Sequence, residues 1–288
     1  MRIVFLGTPA MAVPPLRALV EAGHDVALVV TRPDKRRGRG GALRPSPVKQ
    51  AAVELGLPVT DRIDDVLDLD PPAELGVVVA FGRLIKPHVL DRLPMINLHF
   101  SLLPRWRGAA PVERAILAGD ETTGVAVMAV EEGLDTGAVY DEAEVAIGPD
   151  ETADELRARL VDLGTDLLLG VIENGLDVKR VQEGESTYAR KLEPAELELD
   201  WRRAAEELQR VVRVGPARST WRGRRLRVLR SSVGPDRGLE PGQLDGTAVG
   251  TGDGTLVLME VQPEGRPRLP ADAWVRGARV RPDDRLGL

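Results

Sequence analysis

The 288-residue sequence contains no cysteine and only three histidines. The absence of cysteine excludes disulfide bonds, thiolate metal ligands and a cysteine nucleophile. The histidines, His24, His88 and His99, include no pair at the short spacing that metal sites use. We therefore expect a protein without a bound metal.

Long apolar runs are also lacking. No stretch approaches the ~20 apolar residues that a membrane-spanning helix needs, and the opening residues 1–7 reach Gly-Thr-Pro too early for a signal peptide. These features predict a cytoplasmic protein. With 43% hydrophobic residues, a chain of this length buries a large core and divides more naturally into two domains than one.

The nucleotide-binding motifs of common enzymes are missing as well. Gly7-Thr8-Pro9 follows the first predicted strand but lacks the Gly-x-Gly-x-x-Gly of dinucleotide-binding enzymes, which disfavours an NAD-dependent oxidoreductase. Gly38-Arg39-Gly40-Gly41 lacks the Gly-Lys-Ser/Thr ending of a phosphate-binding loop, so hydrolysis of ATP or GTP is unsupported. Its glycines predict a flexible loop around Arg39, either an ordinary surface loop or a binding element.

Strand and helix patterns alternate over the first two thirds of the chain. Their order predicts an α/β fold with a doubly wound, mostly parallel, Rossmann-like sheet. Ser46 and Pro47 have the residue types of a helix N-cap and first helical position, and Gly23 is placed to end the first helix. Strands are predicted at 2–6, 26–31, 75–80, 95–100, 125–130 and 139–147, and helices from 13, at 47–55, 111–118 and 152–174.

The C-terminal third has a different pattern. After a predicted helix at 201–213, short β-rich runs at 226–229, 247–249 and 256–261 alternate with Gly, Pro and Asp turns. This spacing predicts a small OB-like β-barrel, an architecture that commonly binds nucleic acid. We expect a catalytic domain at 1–188, a linker at 189–204 and the OB-like domain at 205–288.

Charge is distributed unevenly along this acidic chain. Residues 1–194 carry 22 basic and 31 acidic side chains, whereas 195–288 carry 17 and 14. Seven basic residues lie between Arg32 and Lys49, and ten arginines lie between Arg202 and Arg230. Two basic clusters on an acidic protein indicate either a polyanionic partner or ordinary solvated faces.

Asn97 and His99 lie in an alternating stretch that predicts a strand, so both side chains point to one face. Asp135 follows in Asp135-Thr136-Gly137. If its carboxylate reaches the imidazole, it fixes the tautomer and favours a cationic ring that donates to an oxygen acquiring charge. That chemistry is acyl transfer without a protein nucleophile. The alternative is that Asn97 caps a turn and His99 is a hydrogen-bonded core histidine.

The residues around this strand favour the catalytic alternative. Asn97-Leu98-His99 runs into Ser101-Leu102-Leu103-Pro104, then Arg107-Gly108 and Pro111, and is followed by Thr123-Gly124-Val125 and Leu134-Asp135-Thr136-Gly137. This long spaced pattern resembles the signature of formyltransferases that use 10-formyltetrahydrofolate. The resemblance extends to Gly7-Thr8-Pro9, Thr31-Arg32-Pro33-Asp34, Gly38-Arg39-Gly40, Pro45-Ser46-Pro47-Val48-Lys49 and the C-terminal region, and weakens across 200–288.

The resemblance implies a substrate and a set of contacts. It is closest to the branch of the family that formylates methionine on initiator methionyl-tRNA for translation initiation, acting without metal, and we expect a monomer. It implies catalysis by Asn97, His99 and Asp135, and tRNA contacts by Arg39 and Lys191. Folate would lie along Ser101, Leu102, Leu103 and Pro104, with its pterin near Phe81, Leu84 and Ile85. Phe81 departs from the family pattern, which commonly has tyrosine there.

Two rival functions remain open from the residues. A formyltransferase acting on an amino sugar would share Asn97, His99 and Asp135, but has little use for the basic clusters and an OB-like barrel. A non-catalytic RNA-binding protein would keep the fold without the chemistry, and the intact triad argues against it.

Overall fold

The computed structural model describes residues 1–37, 41–281 and 284–287 of the chain. Two compact units are formed. The first comprises Met1–Val112, Thr122–Ala146 and Arg157–Arg190, and the second comprises Glu113–Glu121, Ile147–Leu156 and Lys191–Leu288.

The elements up to residue 190 alternate between strand and helix. Short 3-10 helices lie at Ala10–Ala12 and Asp64–Leu67. Within the described ranges, no helix has the length and apolar character needed to cross a bilayer. In chain order the elements are β1 (Arg2–Gly7), α1 (Val13–Glu21), β2 (Asp25–Val30), β3 (Lys35–Arg37), β4 (Ala42–Arg44), α2 (Pro47–Glu54), β5 (Val59–Thr60), β6 (Leu75–Val79), α3 (Pro87–Leu90), β7 (Met95–His99), β8 (Arg107–Gly108), α4 (Pro111–Ala118), β9 (Thr122–Ala129), β10 (Val139–Ala146), α5 (Ala153–Asn174) and β11 (Tyr188–Ala189).

A seven-stranded sheet in the order β10-β9-β7-β6-β1-β2-β5 forms the core of the first unit, among the residues that the structure describes. Strands β5, β2, β1, β6 and β7 run parallel, whereas β9 is antiparallel to β7 and β10 is antiparallel to β9. All residues of β6 are buried, as expected for a parallel strand covered on both faces. The predicted doubly wound, mostly parallel sheet is confirmed.

Capping residues explain where α2 begins and where α1 ends. The hydroxyl of Ser46 accepts a hydrogen bond from the backbone N–H of Lys49 at 3.0 Å, and Pro47 occupies the first helical position. Gly23, with φ of 80°, follows the end of α1 in the left-handed conformation that favours glycine. The predicted starts of α2 and α4 are confirmed.

Several elements differ from the sequence predictions. The helix expected from 201 begins at Ala205 (α6, Ala205–Val214), because Trp201 is buried in the core of the second unit and its indole N–H donates to Ser219 at 3.0 Å. The apolar side chain of Trp201 reflects burial in this core and not the periodicity of a helix. The hairpin of β3 and β4, the pair β8 and β11, and α3 were not predicted, since each is too short to carry a periodic pattern.

The second unit is built on an antiparallel sheet, as predicted for the OB-like barrel region. A 3-10 helix at Pro194–Leu197 and α6 precede it. Its strands run in the order β12-β13-β16-β15-β14, with β17 paired to β16. They are β12 (Ala217–Trp221), β13 (Arg224–Gly234), β14 (Leu244–Asp245), β15 (Ala248–Gly250), β16 (Thr255–Pro263) and β17 (Leu269–Pro270), followed by α7 (Ala271–Ala278).

Residues near the end of the described chain connect the two edges of this sheet. Leu286 forms a backbone bridge to Trp221 at the end of β12, and Arg285 bridges to Gln243 next to β14. The side chain of Leu286 is buried in the core with Leu208 and Trp274. The bridges therefore leave neither edge of the sheet fully open along its length.

Candidate active site

His99 is the last residue of β7 and Asn97 precedes it by two positions, on a strand in the interior of the large sheet. Strand β7 pairs with β6 on one side and β9 on the other, so that Asn97 lies between Val78 and Met128. The two-residue period places both polar side chains on one face of the sheet. Ligands of open α/β sheets bind at this edge, where the parallel strands end.

His99 is 5% exposed, and both of its ring nitrogens face fixed polar groups. Nε2 lies 3.0 Å from the backbone oxygen of Trp106. Because a carbonyl oxygen only accepts hydrogen bonds, Nε2 carries a proton and donates. Nδ1 lies 3.7 Å from Oδ2 of Asp135, close enough for an ion pair with a protonated ring but longer than a direct hydrogen bond.

Asp135 is held in place by the backbone around it. Its Oδ2 accepts a hydrogen bond of 2.7 Å from the N–H of Gly108, and its φ of 52° lies in the left-handed region. Two residues later, a Cβ on Gly137 would lie 1.9 Å from the backbone oxygen of Ala129 at the end of β9. The Asp-Thr-Gly pattern is thus explained by a turn that needs glycine at its third position to press against the sheet.

Asn97 is half-buried, and its carboxamide makes no hydrogen bond with any described residue. A half-buried carboxamide without a protein partner is left to bind solvent or a ligand. Asn97 therefore offers an unused donor on the face that it shares with His99.

The segment at 106–108, which includes the motif residues Arg107 and Gly108, lies next to the imidazole, and the part played by its backbone atoms was not predicted. Trp106 has φ of 61°, and Gly108 has φ of 116°, with space for a Cβ blocked by the oxygen of Ala189 at 2.9 Å. Strand β8 is anchored by β11, where the N–H of Arg107 donates to the oxygen of Thr187 at 2.9 Å. Only the tertiary fold brings these distant segments together.

Gln182 is a second residue that the sequence reasoning missed. Its Nε2 donates to the backbone oxygens of Asp135 at 2.9 Å and Gly137 at 2.7 Å, and its Oε1 accepts from the guanidinium of Arg107. No motif marked this residue, and a contact across 47 positions has no local sequence signal.

The loop that follows β7 is tightly packed. Ser101 is fully buried, and its hydroxyl donates to the backbone oxygen of Arg105 at 2.5 Å. Leu103 packs with Ala126 and Met128, Leu102 lies against Gly124 of β9, and Pro104 is half-buried. These contacts hold the loop in place at the carboxyl ends of the parallel strands.

The three residues predicted to line an apolar pterin slot have different environments. Phe81 is 2% exposed and belongs to a core cluster, against which Ile85 packs, whereas Leu84 is 78% exposed. The Phe81 side chain is a core residue, the Ile85 side chain is partly buried, and the Leu84 side chain is the one open to solvent.

The predicted tRNA contacts are placed only in part. Arg39 lies outside the described residues, and Lys191 is exposed. Strands β3 and β4 flank position 39, and beside them a cavity of about 110 Å³ is lined by Thr8, Arg32, Pro33, Lys35, Arg44 and Ser46. The charged residues of this lining are all cations, and Asp34, the single acid between Arg32 and Lys49, pairs with Lys49 at 2.9 Å.

Family models match both parts of the chain. The model described as "Formyl transferase" matches residues 1–172, and the model described as "Formyl transferase, C-terminal domain" matches residues 191–279. The first match contains Asn97, His99 and Asp135, and the second contains most of the antiparallel sheet.

Curated relatives match over nearly the whole chain. A methionyl-tRNA formyltransferase of Thermus thermophilus is 46% identical, over 100% of this chain and 99% of its own length. The methionyl-tRNA formyltransferase of Symbiobacterium thermophilum is 45% identical, over 97% of this chain and 93% of its own.

Solved structures at lower identity share the fold. The methionyl-tRNA formyltransferase from Clostridium thermocellum has a TM-score of 0.60 at 17% identity, covering 81% of this chain and 94% of its own. An N-formyltransferase from Helicobacter canadensis, solved with folinic acid and dTDP-3-aminofucose, has a TM-score of 0.70 at 17% identity, covering 91% and 98%. Identities this low bear on architecture alone.

Proposed function

The chain belongs to the formyl transferase family, and we propose that it transfers the formyl group of 10-formyltetrahydrofolate to the free amine of methionine on initiator methionyl-tRNA. The observation that carries this proposal is the end-to-end match to methionyl-tRNA formyltransferases at 41–46% identity, which includes the C-terminal region. The product starts translation.

Asn97 and His99 are suited to the developing oxyanion of this reaction. When the amine attacks the formyl carbon, the carbonyl oxygen gains negative charge, and preorganised donors in a water-poor site stabilise it. The carboxamide of Asn97 has no partner among the described residues and shares a strand face with His99. The folate supplies the formyl carbon, and the chain supplies the donors around it.

Asp135 governs the imidazole. Its carboxylate lies 3.7 Å from Nδ1 and limits the rotation of the ring. Because Nε2 donates to the oxygen of Trp106, donation from that nitrogen to substrate requires exchange of this hydrogen bond. The attacking amine must be neutral, and as it loses its proton Asp135 helps a water to accept it. The bond from the formyl carbon to the folate nitrogen then breaks, and that nitrogen takes up a proton as it leaves.

The remaining contacts follow the division of the chain. We assign folate binding to Ser101, Leu102, Leu103 and Pro104, with Phe81, Leu84 and Ile85 at the pterin, and tRNA contacts to Arg39 and Lys191. Residues 1–188 carry the chemistry, 189–204 form the linker, and 205–288 form the OB-like domain that holds tRNA. We also place the enzyme in the cytoplasm, as a monomer.

One assay tests this function against its closest rival. The purified protein is supplied with 10-formyltetrahydrofolate and either methionyl-tRNA or a free amino sugar, and formylated amine is quantified. We expect product with methionyl-tRNA. Formylation of the sugar alone would replace the proposal, and no formylation of either amine would reject formyl transfer to both.

A further inference from the structure

The carboxamide of Gln182 contacts two separate parts of the candidate active site. Gln182 lies between α5 and β11, and its side chain connects the turn that carries Asp135 with the side chain of Arg107. We infer that Gln182 is a positioning residue for formyl transfer, which acts through Asp135 and His99 and does not touch substrate. This inference rests on the proposed function, whose chemistry requires that pair.

The hydrogen-bonding capacity of Gln182 is fully used. Its two amide hydrogens go to the backbone oxygens of Asp135 and Gly137, at 2.9 Å and 2.7 Å. Its oxygen accepts two bonds from Arg107, of 3.0 Å from Nε and 2.6 Å from Nη2. Because carbonyls only accept and a guanidinium only donates, these partners define the orientation of the carboxamide.

The first pair of bonds fixes the backbone of the acid. A non-glycine residue at a φ of 52° persists only where its surroundings hold it. The amide of Gln182 bonds the carbonyls of Asp135 and of Gly137 two residues later, and so spans the strained turn. Without these bonds the turn relaxes, and the carboxylate moves relative to the imidazole.

The second pair of bonds fixes the other support of the acid. Arg107 precedes Gly108, whose N–H donates to Oδ2 of Asp135 at 2.7 Å, and follows Trp106, whose oxygen accepts from His99. Holding Arg107 therefore steadies the groups on both sides of the imidazole ring.

Other side chains at position 182 cannot satisfy both sets of partners. A glutamate accepts from Arg107 but presents a carboxylate to two carbonyl oxygens. A methionine of similar length satisfies neither set and leaves partly buried polar groups without these partners. The site therefore selects a group that both donates and accepts.

The kinetic test compares Gln182→Met with Gln209→Met. Gln209 is a matched control because its amide also donates to a backbone oxygen, that of Pro149 at 3.1 Å, within the second unit. A misplacement of about 1 Å costs roughly 100-fold in rate, so we expect kcat of Gln182→Met to fall about 10- to 100-fold with KM for both substrates nearly unchanged. We expect Gln209→Met to keep its kcat.

A double-variant cycle separates positioning from general structure. In an Asp135→Ala background, Gln182→Met should lower kcat less than about twofold, because its effect runs through the missing carboxylate. An independent loss would lower kcat by the same factor in both backgrounds and would overturn the inference. If Gln182→Met does not fold, Gln182→Glu, which retains the bonds from Arg107, takes its place in both tests.

Proton NMR of the imidazole C–H groups gives a readout that does not need turnover. The chain has three histidines, so His24 and His88 serve as internal references. We expect the His99 resonances to shift in Gln182→Met and not in Gln209→Met. Unchanged His99 resonances together with wild-type kcat would refute the inference. Absence of any formylation by the wild-type protein would refute the proposed function. The NMR comparison would still show whether Gln182 affects the surroundings of His99.

Discussion

At the scale of single residues, the candidate site is defined by what each polar atom already binds. His99 has both nitrogens facing protein groups, Asp135 accepts from the backbone, and Gln182 is saturated. Asn97 differs because its carboxamide binds no described residue. The amide of Asn97 is therefore free to bind a new oxyanion at once, whereas His99 can donate to it only after its hydrogen bond to Trp106 exchanges.

Replacement of Asn97 by alanine tests its role as an oxyanion donor. Loss of one such donor costs about 100- to 1000-fold in rate, so we expect kcat of Asn97→Ala to fall by that factor while tRNA and folate binding change little. Asn174, the other asparagine of the chain, ends α5 and provides the control Asn174→Ala. Unaltered turnover in Asn97→Ala would remove this residue from the mechanism.

At the residue scale, the predicted geometry is found where a local pattern encoded it, and the catalytic roles stay predictions. The Asn-x-His alternation places two side chains on one strand face, and the Asp-Thr-Gly turn lies beside His99. Gln182 and the carbonyl of Trp106 were beyond reach, because their roles depend on contacts across 47 and 7 positions that no periodicity encodes. Every residue type has a backbone carbonyl, so the sequence does not indicate which carbonyls contact a site.

At the scale of elements, helix α5 begins with a reciprocal cap that links stability to pH. The N–H and hydroxyl of Thr152 donate to Glu155 at 2.9 Å and 2.7 Å, and the N–H of Glu155 donates back to Thr152 at 3.3 Å. These bonds, and then Arg230 at 2.5 Å, lower the pKa of Glu155 from 4.5 to about 2.

The expected consequence is an acid-sensitive contribution to folding. Because the pKa is lower in the folded state, the stabilisation is complete above about pH 4.5 and is lost as the pH falls towards 2. We expect Glu155→Gln to unfold at lower urea concentration than wild type at pH 7, with a gap that narrows below pH 4.5. Glu173→Gln, at the other end of α5, is the control, and a gap independent of pH would contradict the assignment.

Helices and strands with long sequence patterns were predicted, and the shortest strands were not. The long strands and helices of the first unit were recovered to within a few residues, since each buries a continuous apolar run or stripe. The two-residue strands β8 and β11 were missed because their pairing is determined by the fold around them. These short strands hold the residues next to His99, so the least predictable elements lie closest to the chemistry.

At the scale of the whole molecule, an acidic chain carries two basic clusters that suit a polyanion. The charge cluster at 32–49 and the arginines at 202–230 contrast with a net charge of −6. Many of these arginines pair with acids, such as Arg203 with Glu207 and Arg230 with Glu155. These pairs reduce the positive electrostatic potential around the arginines. RNA affinity should therefore depend on a limited number of unneutralised cations.

Salt titration with Arg39→Ala measures this dependence. Each neutralised phosphate contributes a slope of roughly −0.7 to −0.9 in log affinity against log salt concentration, so the variant should lose about one such increment. We expect weaker formylation of methionyl-tRNA with unchanged slow consumption of 10-formyltetrahydrofolate. Arg17→Ala, outside the cluster and paired with Glu54, is the control. Equal loss of both activities would contradict a role confined to tRNA.

Hydrogen–deuterium exchange at the short pairing of β8 with β11 reports on the surroundings of the candidate active site. The amides of Arg107, Ala109 and Ala110 bond to oxygens of Thr187 and Ala189. Both residues of β8 are only half-buried and Tyr188 of β11 is exposed, whereas four of the five residues of β7 are buried. Local opening there would release the neighbours of His99 without unfolding the sheet. Deuterium uptake at these three amides should thus run ahead of that in the central strands, and substrate that orders the site should slow it.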